Sequence, residues 1–195
     1  MTSRTIDPPE QVSEGIAILS GIDWNRFQTL ARVFSGRRIR LTYLKGMLEI
    51  MSPIGREHGV QKSTFGLLLE TWLRLQQIRF YRTGGFTLES EGYSSAEPDE
   101  SYCLHEKKAI PDLLIEVIVS SGSIDKHEAN RPFAVPEIWF WQKGGLRVFC
   151  FDQGKYTESR QSLLLPGLDL ALMEQCAAME DQYEGVEVFR SRVAG

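Results

Sequence analysis

Cysteine is scarce: three occur, Cys103, Cys150 and Cys176, and no two form a C-x-x-C pair. An odd, scattered set argues against a disulfide framework and a zinc knuckle and leaves packed, reduced thiols. No apolar run approaches the roughly 18 residues that a membrane helix needs. The opening Met1 to Glu10 lacks a charged-then-apolar leader pattern, so a cytoplasmic location is expected. There is no G-x-S-x-G elbow and no cysteine with an obvious histidine partner, which weakens any serine or thiol hydrolase reading. Repeats, low-complexity tracts and linkers are missing as well. At 195 residues and 42% hydrophobic, the chain suits one well-buried domain, taken as residues 21–195 after an N-terminal arm of residues 1–20.

Excess positive charge is also lacking, since the formal net charge is −4. The distribution is uneven, however. From Arg26 to Arg82 there are eleven Lys/Arg and three acids, whereas from Thr83 to Glu128 there are ten acids and three lysines. A basic first half and an acidic centre suit a polyanion held near a metal. The counts alone favour a plainer reading, two solvated faces of opposite sign.

Asp23 is placed to cap a helix carrying Trp24, Phe27, Leu30, Ala31 and Phe34, ending near Gly36. Arg38 to Leu44 alternates, Lys45-Gly46 is a turn, and Met47 to Met51 resumes, which describes a β-hairpin. A long helix is expected from Arg56 to Ile78, with Val60, Leu67, Leu68, Trp72 and Leu75 as its apolar stripe. Short strands around 79–82 and 86–89 precede a polar loop, 90–97, and a strand entered through Asp99. Pro111 to Val119 reads as a buried strand, 123–133 as a helix, and Glu137 to Trp141 and Leu146 to Phe151 as paired strands about Gly144-Gly145. An edge strand at 155–161 and a final helix at 170–179 complete a mixed sheet flanked by helices, of α/β or α+β class.

The strand from Leu113 to Val119 is apolar except for Glu116. A carboxylate buried there requires a donor, a cation or a metal. Asp112 shares its face but lies about 13 Å away along a strand rising about 3.3 Å per residue, too far to share a metal. Asp99, on the expected neighbouring strand, can meet Glu116 across the pairing, and two carboxylates with a carbonyl and waters suit Mg²⁺. Ile118 occupies the next position on that face, so a cation comes instead from Lys126, which could orient a water or offset phosphate charge. The same residues also fit a turn former, a salt-bridge partner and a surface lysine, and the pattern alone does not choose.

Several segments in order resemble the Uma-two family of restriction endonucleases, within the PD-(D/E)XK nuclease superfamily. They are Gly46-Met47-Leu48-Glu49-Ile50-Met51-Ser52-Pro53 with His58, Pro98-Asp99, Pro111 to Val117, Ser121 to Lys126, Val135 to Trp139 and Leu164 to Leu168. The resemblance runs from about Phe34 to Leu172 and implies a restriction-endonuclease-like core. It also implies that Asp99 and Glu116, with the carbonyl of Val117, hold Mg²⁺ or Mn²⁺ and that Lys126 is the catalytic lysine moved onto the following helix. His58 would line the site or contact phosphate, and it fits equally a helix-start residue that bonds the local backbone; Glu49 would be an acid of the hairpin, read as structural.

The implied activity is metal-dependent hydrolysis of DNA, and cutting both strands leads to the expectation of a homodimer. The alternative is a nuclease-fold domain without turnover that binds nucleic acid or a protein partner. Three positions depart from the family pattern. Asn130 stands where tyrosine is common, Ala134 where glycine is usual, and Pro132 falls inside the expected helix, which it should shorten or kink.

Overall fold

The computed structural model describes residues 15–37, 39–51, 56–118 and 124–194, without the side chains of 56–58. Their class is α+β, with two sheets and five α-helices among the described residues. Helix α1 (Trp24–Phe34) starts where Asp23 accepts a hydrogen bond from the Arg26 N–H, and its apolar face packs Phe27 on Tyr43 and Leu48. Strands β2 (Arg40–Leu44) and β3 (Met47–Met51) form the hairpin. Its turn residues Lys45 and Gly46 both have positive φ, the geometry whose twist matches a two-residue hairpin.

The first sheet is β1-β3-β2-β6-β5, entirely antiparallel, with β1 (Ile16–Ser20), β5 (Leu88–Ser90) and β6 (Ser94–Ala96) added to the hairpin. Ile16–Ser20 therefore belongs to the sheet, not to a loose arm, because its backbone pairs with Met47–Met51. The segment read as a polar loop contains β6, whose Ser94, Ser95 and Ala96 are all buried between β2 and β5. Sheet pairing overrides the low strand preference of serine there.

The second sheet is β11-β10-β9-β8-β7-β4, comprising β4 (Phe80–Arg82), β7 (Glu100–Leu104), β8 (Leu113–Ile118), β9 (Glu137–Gln142), β10 (Gly145–Asp152) and β11 (Lys155–Ser159). Only β8 and β9 pair in parallel, which makes this sheet mixed. Its central strands are buried on both faces. Helix α2 (Arg56–Leu75) covers one face, together with α4 (Leu170–Ala177) and α5 (Gln182–Ala194). The buried stripe of α2 is Phe65, Leu68, Leu69, Trp72 and Leu73, an i, i+3, i+4, i+7, i+8 set. Val60, Leu67 and Leu75 of the expected stripe are exposed, so that stripe was rotated around the helix.

Helix α5 has no counterpart in the sequence reading. Asp181 caps it by accepting from the Tyr183 and Glu184 N–H groups, and Phe189 is fully buried. Gly185 sits so close to α4 that a Cβ there would lie 2.6 Å from the Cys176 carbonyl oxygen. Among the described residues no helix is long and apolar enough to cross a membrane.

Helix propensity alone would make Gly185→Ala stabilising by about 1 kcal/mol. The backbone contact reverses that sign. We expect the variant to lose about 1–3 kcal/mol in chemical denaturation, and a gain in stability would show that α4 and α5 do not touch this closely.

Candidate active site

Strands β7 and β8 pair with Glu100 opposite Ile115 and Ser101 opposite Leu114. Continuing that pairing by one residue sets Asp99 opposite Glu116, and residues opposed across an antiparallel pair share a face. Asp99 is anchored from two sides. Its Oδ2 accepts from the Val117 N–H at 2.7 Å, and its Oδ1 is ion-paired to Arg40 Nη1 from the first sheet. Glu116 is buried, and its Oε1 has no hydrogen-bond partner among the described residues.

The hairpin supplies the opposite wall. Leu41, Tyr43, Leu48 and Ile50 pack beneath α1, so Arg40, Thr42 and Glu49 point to the other side, with Thr42 directly opposite Glu49. That polar side is covered rather than solvated, for Thr42 and Glu49 are buried. Helix α3 (Lys126–Asn130) delivers Lys126 from its first position. The ammonium lies 2.9 Å from Thr42 Oγ1 and 3.2 Å from Glu49 Oε1, while Glu49 Oε2 accepts from the Ile124 N–H at 3.2 Å. Glu49 thus positions the lysine and the chain entering α3, a closer tie to the site than the hairpin alone suggested.

Two further acids fix α3. Asp125 caps it through the His127 and Glu128 N–H groups, and Glu128 is held by Lys45 at 2.6 Å, by the Tyr93 hydroxyl and by Arg131 at 2.9 Å. The helix is shorter than expected, because a 3-10 turn (Arg131–Phe133) replaces its second half and seats Pro132 in its first turn, where no donor is required. Ala134 then adopts φ +49, the left-handed conformation that favours glycine. Asn130 is buried, and its side-chain amide donates back to the Lys126 carbonyl at 2.9 Å.

Electrostatically the cluster is short of positive charge. Three carboxylates (Asp99, Glu116, Glu49) face two cations (Arg40, Lys126). Burial pushes the Glu116 carboxyl up to about 7; Lys126 and Arg40 oppose the rise, and Asp99 and Glu49 add to it. Burial alone would lower the Arg40 pKa, but Asp99 and Glu116 more than compensate and raise it.

The structure brings Asp99, Glu116, Lys126 and Glu49 to one place, with Val117 tied to it through its N–H. Arg40 and Thr42 belong to the same cluster and were missed; their signal was period-two polarity on a hairpin whose other face is apolar. His58 falls on the first turn of α2, but its side chain lies outside the described residues, as do Ser52-Pro53 and Ser121 to Ser123. Asp112 is elsewhere, bonded to the Leu104 N–H at 2.7 Å and to Lys108 at 2.8 Å.

Four of the eleven cations of the basic stretch pair with acids of the acidic centre: Arg40 with Asp99, Lys45 with Glu128, and Lys62 and Arg82 with Glu100, so part of the charge asymmetry is internal pairing. A groove of about 900 Å³ opens at the end of β8, lined by Val60, Thr64, Ile118, Trp141, Lys143 and Met179, and it includes none of the clustered carboxylates.

The chain matches the family model Uma2, described as "Putative restriction endonuclease", over residues 24–179. It belongs to this family. The Uma2 match runs from the start of α1 to just beyond α4 and so contains the whole cluster, while β1 and α5 lie outside it. No curated protein matches the chain. The two-sheet α+β architecture is consistent with a restriction-endonuclease-like domain, and the family description suggests a nuclease.

The residues present suit a hard divalent cation. Among the described residues no group of three His, Cys, Asp or Glu could hold a metal. Two carboxylates, one with a buried unpartnered oxygen, plus main-chain carbonyl and water are the donor set Mg²⁺ accepts.

Glu116 also gives a pH signature. Its carboxyl binds a proton more tightly folded than unfolded, so its contribution to stability is full below about 4.5 and is lost as pH rises through about 7. In the presence of chelator, Glu116→Gln should flatten that decline and be more stable than the parent near pH 8, by up to about 3 kcal/mol. Denaturation curves that run parallel across this range would show that Glu116 titrates normally.

Proposed function

We propose that the chain is a metal-dependent endonuclease that hydrolyses phosphodiester bonds in DNA. The observation that carries this reading is the buried, under-compensated Glu116 set opposite Asp99 with the Lys126 ammonium held nearby. Asp99 and Glu116, with the carbonyl of Val117, would hold Mg²⁺ or Mn²⁺, which when bound would supply Lewis acidity to activate water at neutral pH and offset charge on the phosphate.

The chain's own groups do the rest. The Val117 N–H fixes Asp99 Oδ2, so that carboxylate keeps one orientation. Thr42 and Glu49 hold Lys126 Nζ on two sides, leaving its remaining donor capacity to orient the attacking water and stabilise the developing negative charge. Glu49 and Thr42 act through the lysine and are positioning residues. No covalent intermediate is required.

With supercoiled plasmid and Mg²⁺ or Mn²⁺, the parent should nick or linearise DNA. Glu116→Ala and Lys126→Ala should each lower the cleavage rate by about a hundredfold or more, with circular dichroism confirming that both remain folded. Cleavage persisting in both variants excludes this reading. A parent that binds DNA without cutting it under either metal belongs instead with the binding-only alternative.

A further inference from the structure

Two adjacent buried acids at the start of β7, Asp99 and Glu100, are held by arginine in different ways. Arg82 grips Glu100 as a fork, Nε to Oε2 at 2.7 Å and Nη2 to Oε1 at 2.5 Å, and Lys62 adds a third contact at 3.3 Å. That is a locked structural pair. Arg40 engages Asp99 through Nη1 on Oδ1 alone. Its Nη2 touches the Met51 sulfur at 3.5 Å, and its buried Nε has no hydrogen-bond partner among the described residues. Much of the guanidinium's donor capacity is thus spent poorly at a position only 17% exposed.

The single contact falls on the oxygen that matters. Asp99 Oδ2 is taken by the Val117 N–H, so Oδ1 is the oxygen through which Asp99 meets a cation. We propose that Arg40 is the resident counter-ion of the carboxylate pair and competes with the divalent cation for Asp99 Oδ1. The proposal rests on the reading that Asp99 and Glu116 hold that cation. Two cations crowded on one buried oxygen repel strongly, and a guanidinium held by one nitrogen can turn aside where a fork cannot. Arg40 therefore neutralises the pair when no metal is present, keeps the two sheets together, and gives way on loading.

The test uses the full chain, stripped with chelator, and Mn²⁺ binding by calorimetry, with Asp99→Asn as the ligand-loss control. Arg40→Gln should bind Mn²⁺ about tenfold or more tighter than the parent, while melting at a lower temperature without metal. Because that variant carries an uncompensated buried acid and could fail to fold, the parent is also followed by nitrogen-15 NMR of the arginine side chains during Mg²⁺ titration. The Arg40 signal, assigned with Arg40→Lys, should leave its ion-paired position as Mg²⁺ saturates. Asp99-dependent Mn²⁺ binding that is unchanged or weaker in Arg40→Gln, or an Arg40 signal that stays put in the saturated parent, overturns the competition and leaves the metal site standing. No Mn²⁺ binding by either protein overturns both.

Discussion

The constraint on which the structure turns is the burial of carboxylates between two sheets. Asp99 solves it by facing both ways, with one oxygen on the Val117 N–H of its own sheet and the other on Arg40 of the hairpin sheet. Removing Arg40 would leave the buried Asp99 carboxylate without its counter-ion in the hairpin sheet, a loss of about 3–5 kcal/mol. Beside it, the contacts of Lys126 with Thr42 and Glu49 tie α3 to the same hairpin. The sheets are thus joined at this point by charge, while apolar packing lies on their outer faces under α1 and under α2, α4 and α5. Apolar packing also flanks the charged cluster, where Leu88 packs with Leu114, Ile138 and Phe140, and Leu44 and Ala96 pack with Ile124 and Ala129. A polar seam between two apolar layers is a poor way to maximise stability and a good way to hold reactive groups dry and fixed.

That seam explains what could be read from residues alone. Glu116 is conspicuous because a single acid interrupts an otherwise apolar strand; the rise of about 3.3 Å per residue separates it from Asp112 on the same face, and the pairing of neighbouring strands sets it opposite Asp99. Arg40, Thr42 and Glu49 could not be recognised the same way. Alternating polar residues on a hairpin look identical whether that face meets water or a second sheet, and only the arrangement of the sheets decides between them. The uneven charge along the chain is partly internal for a related reason: Arg40, Lys45, Lys62 and Arg82 reach acids of the acidic centre, so a count by segment reads these four paired cations as solvated.

The fold's class and most elements followed from periodicity, and the misses have separate causes. Strand β6 has only three residues, all small, and exists because β2 and β5 hold it. In α2 the two candidate stripes differ by a modest rotation, and with apolar residues at both, packing against Trp141 and the strands selected the one through Phe65. Helix α5 carries its own signals, Asp181 three residues before Glu184 and then Val186, Phe189 and Val193, beyond the last expected helix at 170–179.

The shortened α3 shows how little of a helix the site uses. A lysine at the first position of a helix is placed by the residues that fix its entry, not by the turns beyond. Here those are the Asp125 cap, the Glu49 carboxylate on the Ile124 N–H and the Glu128 clamp to the hairpin turn and Tyr93. Pro132 ends the α-helix after these contacts are complete, and the 3-10 turn with Ala134 in a left-handed conformation redirects the chain into β9. The proline that looks most damaging in the sequence therefore lies downstream of everything that holds Lys126, and the orientation of the ammonium depends on the hairpin more than on the helix that carries it.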